Sequence, residues 1–218
     1  MTVLTKKTFD ILTNFSSINN SIVIKPGSTI RTLSVNKNIM AVANVDETFD
    51  DQISIYDLAS LLNGTRFFQQ PELVTGTDNY LTITESGNTR KRVRYYYADP
   101  DIIVQAPDKE LELPSIDVEF DLSSEDLGSL LSAANVYRVP DLCVFGDGSI
   151  ITICVTDKKN DTSNTFSIEI GKTDKEFCYC FKVENLRVLK HDYHISISKS
   201  NVAYFKSGTV RYWIALEP

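Results

Sequence analysis

The sequence predicts an α+β chain of two similar domains, each built from two helix-plus-β-meander units. The first sign is an internal repeat: Ser54-Ile55-Tyr56-Asp57-Leu58-Ala59-Ser60-Leu61-Leu62 returns as Ser123-Ser124-Glu125-Asp126-Leu127-Gly128-Ser129-Leu130-Leu131. In both copies a serine stands three residues before an aspartate, a spacing that satisfies the free N–H groups of a helix start. Three leucines then follow at i, i+3 and i+4, on one helix face. The second sign is order: each copy is flanked by a strand-like run on both sides, which makes a duplication a better account than chance. The third is a proline-punctuated acidic stretch, Asp99 to Pro114, between the two halves. Proline holds the chain extended and marks a linker. The expected domains are residues 1–107 and 115–218, with 108–114 as the connection.

The elements follow in order. Thr5 to Asn20 places Phe9, Ile11, Leu12, Phe15 and Ile18 at helical spacing, with Lys6, Asp10, Thr13 and Ser17 opposite, an amphipathic helix capped by Thr5. Three short strands come next, Ser21 to Lys25, Thr29 to Val35 and Asn38 to Val45, split by the turn dipeptides Pro26-Gly27 and Asn36-Lys37. The acidic segment Asp46 to Asp51 opens the second unit. Gln52 to Ile55 is its first strand and Asp57 to Phe68 its helix; Tyr80 to Thr84 and Lys91 to Tyr97 close it around a Gly87-Asn88 turn.

The third unit has strand Ile116 to Leu122, helix Ser124 to Val136, and strands Asp141 to Phe145, Ser149 to Thr156 and Thr165 to Ile170. Gly146-Asp147-Gly148 makes a hairpin turn. The fourth has strand Glu176 to Phe181, a short helix from Val183 to Leu189, and strands Tyr193 to Ser198, Asn201 to Phe205 and Val210 to Leu216.

Across its 218 residues, 42% hydrophobic content with 9 Gly and 7 Pro describes an ordinary globular protein rather than a disordered one. Met1 to Lys7 has no cleavable apolar core and no stretch is long and apolar enough to span a bilayer, so a cytoplasmic location is expected. Cys143, Cys154, Cys178 and Cys180 all lie in strand-like sequence, where a reduced thiol packs as a small hydrophobe. Cys178 and Cys180 share a strand face, and His191 and His194 are near in sequence. Zinc ligands, however, usually come from tight turns, so strand alternation is preferred to a metal site.

No catalytic set stands out. The phosphate-cradling Gly-x-x-x-x-Gly-Lys, Gly-x-Ser-x-Gly and His-Glu-x-x-His patterns are absent from the sequence. Asp99 and Asp101 flank a proline and read as turn residues rather than acid/base carboxylates. No enzyme and no cofactor are expected.

The net charge is −7, from 22 basic and 29 acidic side chains, which argues globally against a simple nucleic-acid binder. Locally the cations gather on helices: Lys6 and Lys7 in the first, Arg66 near the end of the second, Arg138 at the end of the third, and Lys182, Arg187 and Lys190 in or beside the fourth. Complementing helix dipoles would account for Arg66, Arg138 and Lys190, but not for Lys6 and Lys7 at the unfavourable end. A shared positive face made from four helices is the alternative. The run Arg90-Lys91-Arg92-Val93-Arg94 before Tyr95-Tyr96-Tyr97 looks like a stacking nucleic-acid patch. Strand alternation instead puts Arg92, Arg94 and Tyr96 on one side and Val93, Tyr95 and Tyr97 on the other, and an edge strand guarded by charge explains it as well.

The order of parts resembles the DNA sliding clamps, in particular the processivity clamps of T-even-type bacteriophages. The likeness rests on Asn14-Phe15, Ile24-Lys25-Pro26-Gly27, Val42-Ala43-Asn44, Ile55-Tyr56-Asp57-Leu58, Ala98-Asp99-Pro100, Glu125-Asp126-Leu127 with Leu130-Leu131, Asn185-Leu186-Arg187 and Ile214-Ala215-Leu216-Glu217. The resemblance implies the DNA clamp fold: a homotrimeric ring of six domains, with helices lining a hole for duplex DNA and sheets outside. It implies Lys6, Lys7, Arg66, Arg138, Lys182 and Arg187 as DNA-facing residues. It also implies a docking surface for apolar tail peptides of the replicative DNA polymerase and an ATP-dependent clamp loader, with Ile103, Val104, Leu113, Leu142, Trp213 and Ile214 as candidates. Ring closure would pair edge strands, with Arg92 to Tyr97 and Thr165 to Ile170 as the expected pair. The setting implied is the cytoplasm of an infected bacterium, with no membrane partner and with viral late-transcription proteins left open. The competing reading is a β-rich structural or adaptor protein of a virus, with no DNA in its working cycle.

Overall fold

The computed structural model describes residues 2–76 and 78–217. Two compact units divide the chain, one ending at Lys109 and one beginning at Glu110.

In the first unit the order is β1 (Thr2–Val3), α1 (Lys6–Ile18), β2 (Ile22–Ile24), β3 (Gly27–Leu33), β4 (Ile39–Phe49), β5 (Ile53–Ile55), α2 (Leu58–Thr65), β6 (Pro71–Val74), β7 (Tyr80–Glu85) and β8 (Asn88–Tyr96). Strands β1, β6, β7 and β8 form one antiparallel sheet in that order, β3 pairs with β4, and β2 pairs with β5. Ile11, Leu12, Phe15 and Ile18 of α1 are buried, as their spacing predicts. Each such side chain contributes about 1.5–3 kcal/mol of burial. A single 3-10 turn, Pro100–Ile102, capped by the Asp99 carboxylate, follows β8.

Two expectations for this unit are corrected. The strand expected to end at Val45 runs on through the start of the acidic segment: β4 reaches Phe49, and Glu47 is buried. Its carboxylate accepts from the Thr5 N–H and the Thr8 hydroxyl, each at 2.5 Å, and so closes the start of α1. The other concerns the repeat. Asp57 itself caps α2, bonding the Ser60 N–H at 2.8 Å, while Ser54 lies buried in β5. Ser123 does cap its helix. Pro71–Val74 and Thr2–Val3 form strands that the sequence pattern did not announce, because both are too short to show alternation.

Burial raises the Glu47 pKa, but the bonds from Thr5 and Thr8 outweigh it and hold the carboxyl below its ordinary value of 4.5. The stabilisation is therefore present above that value and lost as pH falls through the lower folded pKa. Replacing Glu47 with Gln should cost about 1–3 kcal/mol at neutral pH. In urea titrations followed by circular dichroism, the gap to wild type should narrow on acidification; a gap that held constant to low pH would refute the assignment.

The second unit contains β9 (Val118–Leu122), α3 (Ser124–Tyr137), β10 (Asp141–Asp147), β11 (Ile150–Thr156), β12 (Phe166–Lys172), β13 (Glu176–Lys182), β14 (Tyr193–Ser198), β15 (Val202–Ser207) and β16 (Val210–Ala215). Two antiparallel sheets result, ordered β12-β11-β10-β13 and β16-β15-β14-β9. Helix α3 lies under β10, β11 and β12 and buries Leu127, Leu130 and Ala134. It ends on Arg138 at φ 54°, whose N–H returns to Ala134 and Asn135.

The expected fourth helix is absent. Val183–Asn185 makes one 3-10 turn with no side-chain cap, and the chain then runs irregularly to β14. Its backbone is satisfied from the sheet instead: Leu189 N–H donates to the Tyr212 hydroxyl at 3.2 Å, and the Tyr193 hydroxyl donates to Leu189 O at 2.7 Å. Tyr193 and Tyr212 are fully buried beside Phe205 and Phe181, and burial pushes the Tyr212 hydroxyl up to about 12. Among the described residues there are thus three α-helices, and the α+β class holds.

Candidate functional site

The C-terminal end of α1 is tied to the N-terminal end of α2. Leu58 N–H donates to Asn20 O, Ala59 N–H to Asn20 Oδ1, and Asn20 Nδ2 to Asp57 Oδ1. The two helices pack together from that junction and run in opposite directions. Lys6 and Lys7, at the start of α1, therefore lie toward the same end as Arg66, which caps α2. All three are exposed. Lys6 meets Asp10 at 3.2 Å across a solvated helix turn, a pair too exposed to hold it firmly. The remaining outward positions, Thr13, Ser17, Ser60 and Asn63, are small, polar and uncharged.

The second unit repeats this arrangement with an irregular partner. Segment 183–192 runs back along α3: Val183 N–H donates to Pro140 O beyond the end of the helix, and Asp192 accepts from Ser124 N–H at its start. Lys190 lies over Gly128, its Cε 3.4 Å from where a Cβ would stand. Arg187 is exposed, with its Nε donating to Glu184 O at 2.9 Å. Arg138 and Lys182 border one open groove floored by Leu131, Ala134 and Val139.

Lys182 differs from the other cations. Its ammonium sits 2.5 Å from Asp141, whose side chain is only 1% exposed, and the bond from Asp141 raises its pKa. It serves first to neutralise a buried carboxylate.

The six positions considered for peptide docking separate by burial. Leu142 (4% exposed) packs among Leu127, Ile153 and Phe205, and Ile214 (0%) faces inward from β16, so both belong to the core of their unit. Both sit on inward positions of their strands, and expectation gives way to packing there. Trp213 is also covered: its indole N–H donates to Leu111 O at 2.9 Å and its ring lies against Tyr204. Ile103 is buried, whereas Val104 and Leu113 are half-exposed.

Each unit presents a sheet edge. Strand β8 ends one four-stranded sheet and β12 ends another. On β8 the expected alternation is observed, with Arg92, Arg94 and Tyr96 outward and Val93 and Tyr95 half-buried. Phe67, 73% exposed, stands near the start of β8 beside Arg90 and Lys91, and Val136, also 73% exposed, lies on the helix that supports β12.

The cysteines correct another expectation. Cys143 and Cys180, opposite each other on β10 and β13, form a disulfide, where free thiols were anticipated; Cys154 and Cys178 are free. Strand register brought this pair together, which sequence separation alone concealed. Among the described residues no cluster of three or more His, Cys, Asp and Glu is placed to hold a metal. His194 bridges instead to Asp121 at 2.8 Å and Glu119 at 3.5 Å, pinning edge strand β9. No helix is long and apolar enough to cross a membrane among the described residues.

Residues 5–105 match the family model of DNA polymerase processivity factors, and residues 119–218 match that of the C-terminal part of the gp45 sliding clamp. The chain is 33% identical to the sliding clamp of Vibrio phage KVP40, covering 98% of both chains. It is 28% identical to that of Escherichia phage RB69 and 27% to that of Enterobacteria phage T4, in each case over 98% of this chain and 96% of the relative. The proliferating cellular nuclear antigen of Entamoeba histolytica superposes with a TM-score of 0.64 at 11% identity, over 96% of this chain and 94% of that one, a likeness of fold.

Proposed function

The chain belongs to the bacteriophage sliding-clamp family of DNA polymerase processivity factors, and from that premise we propose that three copies close into a ring around duplex DNA and tether the polymerase. A processivity factor of this family is a scaffold rather than an enzyme.

The observation that carries the reading is the pair of unlike sheet edges, β8 in one unit and β12 in the other. Joining an edge to a different edge is a heterologous contact, and such contacts build closed rings when the rotation closes. Each edge has an exposed apolar group at hand, Phe67 for β8 and Val136 for β12, and Arg92 and Arg94 on β8 complement Glu169 on β12. Pairing would remove two edges otherwise open to aggregation. Light scattering over a concentration range should give three times the 24.5 kDa chain mass. A monomer at every concentration would sink the ring.

Within such a ring Lys6, Lys7, Arg66, Arg138 and Arg187 face DNA. Weak, sequence-independent phosphate binding suits a protein that must slide. Lys182 contributes mainly by holding Asp141. Replacing Lys6 and Arg187 with Gln should speed departure of the ring from DNA and lower the salt slope of retention by about 0.9 for each phosphate no longer neutralised. The thermal melt should stay at the wild-type value; unchanged retention across the salt series would count against this face. The host cytoplasm, an ATP-dependent loader and late-transcription proteins complete the proposed setting. Tail peptides of the polymerase and loader would dock along the connector, with the half-exposed Val104 in the first unit and the half-exposed Leu113 in the second as separate candidates.

A further inference from the structure

We propose that the sheet β12-β11-β10-β13 carries a thiol–disulfide exchange site, in which Cys154 displaces Cys180 from Cys143 and so opens the buried bridge to a small dithiol reductant.

Register places three cysteines in one row across three neighbouring strands. Cys143 of β10 stands opposite Cys180 of β13 on one side and opposite Cys154 of β11 on the other. Leu142, Val144 and Ile153 line the core beside Leu127, so Cys143 and Cys154, which alternate with them, share the opposite face of the sheet. Directly opposed residues of an antiparallel pair stand about 4.5–5.5 Å apart at Cα, inside the span that a disulfide bridges. Cys143 thus has two possible partners, and it is bonded to Cys180.

Exchange proceeds by attack of a thiolate on one disulfide sulfur, along the axis of the bond that breaks. The row supplies that alignment, because Cys154 meets Cys143 from the side opposite Cys180. Cys154 first loses its proton to water. Its thiolate forms the new S–S bond to Cys143 Sγ, the old bond breaks, and the electron pair leaves on Cys180 Sγ, which takes up a proton. One disulfide replaces another, so no oxidant enters. Cys178 is not equivalent, although it is the more exposed of the two free thiols. It lies two residues from Cys180 on the same strand, about 6.6 Å along it, and so approaches across the bond rather than along it. Its cross-strand partner is Phe145.

Access gives the exchange its consequence. Cys143 and Cys180 are 6% and 8% exposed, which shields both sulfurs from a reductant in solution, whereas Cys154 is only half-buried. Once the bridge has moved to Cys143–Cys154, one of its sulfurs is within reach. A dithiol then attacks Cys154, forming a mixed disulfide and releasing Cys143 as thiolate; its second thiol closes on the first and frees Cys154. The dithiol ends as a cyclic disulfide and the protein has gained two thiols. Burial raises the Cys154 pKa, and its thiol donates to Val155 O at 3.5 Å, so little of it is ionised; a thiolate of higher pKa is, however, the stronger nucleophile. The covalent tie between β10 and β13, the last strand of its sheet, thereby answers to the thiol balance of the surroundings.

The test follows reduction of the oxidised full chain by dithiothreitol, with samples unfolded in excess N-ethylmaleimide and cut by trypsin. Cuts fall after Arg138, Lys158, Lys175 and Lys182, so Cys143 and Cys154 share one peptide, 139–158, and Cys178 and Cys180 share another, 176–182. A Cys143–Cys180 bridge links the two peptides, whereas a Cys143–Cys154 bridge closes a loop within the first. Partly reduced wild type should contain the looped peptide. Cys154→Ser should show the link alone and lose it about tenfold more slowly, while Cys178→Ser should follow wild type. If Cys154→Ser melts below wild type, the looped peptide, which needs no variant, decides. Equal rates in wild type and a Cys154→Ser chain of the same melting temperature, slowing by Cys178→Ser, a partly reduced wild type with the link alone, or an oxidised chain without the link at the outset would each overturn the proposal.

Discussion

Asp141→Ala is expected to destabilise the second unit by about 3–5 kcal/mol, the usual cost of removing one partner from a buried ion pair. Asp141 is fully buried at the start of β10. It receives the Lys182 ammonium from the end of β13 and the Lys158 N–H, at 3.1 Å, from the loop after β11. Its removal would leave Lys182 facing a hole and the Lys158 amide unsatisfied, both beside the sheet that ends in β12. Trp213 is the single tryptophan and lies in this unit, so its fluorescence in urea reports the change directly. Lys182→Met should cost as much or more, whereas the pair Asp141→Leu with Lys182→Met should recover part of the deficit, because no charge is then stranded. A midpoint that does not move with Asp141→Ala would show the pair to be dispensable.

The second large effect comes from a glycine whose φ is unremarkable. Gly146 pairs with Phe177 across β10 and β13, and a Cβ at that position would stand 2.5 Å from the Phe177 ring and 2.7 Å from the Lys175 carbonyl oxygen. The ring could turn, but the carbonyl is backbone and also accepts the Gly148 N–H. Gly146→Ala should therefore cost about 1–3 kcal/mol, with Gly146→Val worse. Gly128 makes the contrast. It lies within α3, a Cβ there meets only the flexible end of Lys190 at 3.4 Å, and helix propensity favours alanine by about 1 kcal/mol. The same substitution should lower the melting temperature at one site and raise it at the other. Equal shifts at both would contradict the packing described for β10 and β13.

The cation set shows how far local sequence reaches. Lys6 and Lys7 were legible as anomalies, because positive charge at a helix start opposes the dipole and invites another explanation. That Arg66 lies toward the same end was not legible, since it depends on α1 and α2 running in opposite directions from the Asn20 junction. The first task of Lys182 was hidden for a related reason. Nothing near it in sequence shows that Asp141, 41 residues away, is buried beneath it. The docking candidates divided in the same way: Val104 and Leu113 stayed accessible, while Leu142 and Ile214 proved to be core.

By itself the sequence determined the class of structure, the duplication, most strand positions, the three true helices and the family. These rest on short-range regularities of cap spacing, leucine periodicity, turn dipeptides and strand alternation, all of which act within a few residues. Only the tertiary structure decided that Glu47 closes α1 from a strand, that Cys143 faces Cys180, that segment 183–192 stays irregular, and that Arg31 is left unpartnered at its Nε beside Asp108. Each of these joins groups distant along the chain. Their encounter is set by register and by which face each strand buries, and a one-residue shift in register would reverse every one of those faces.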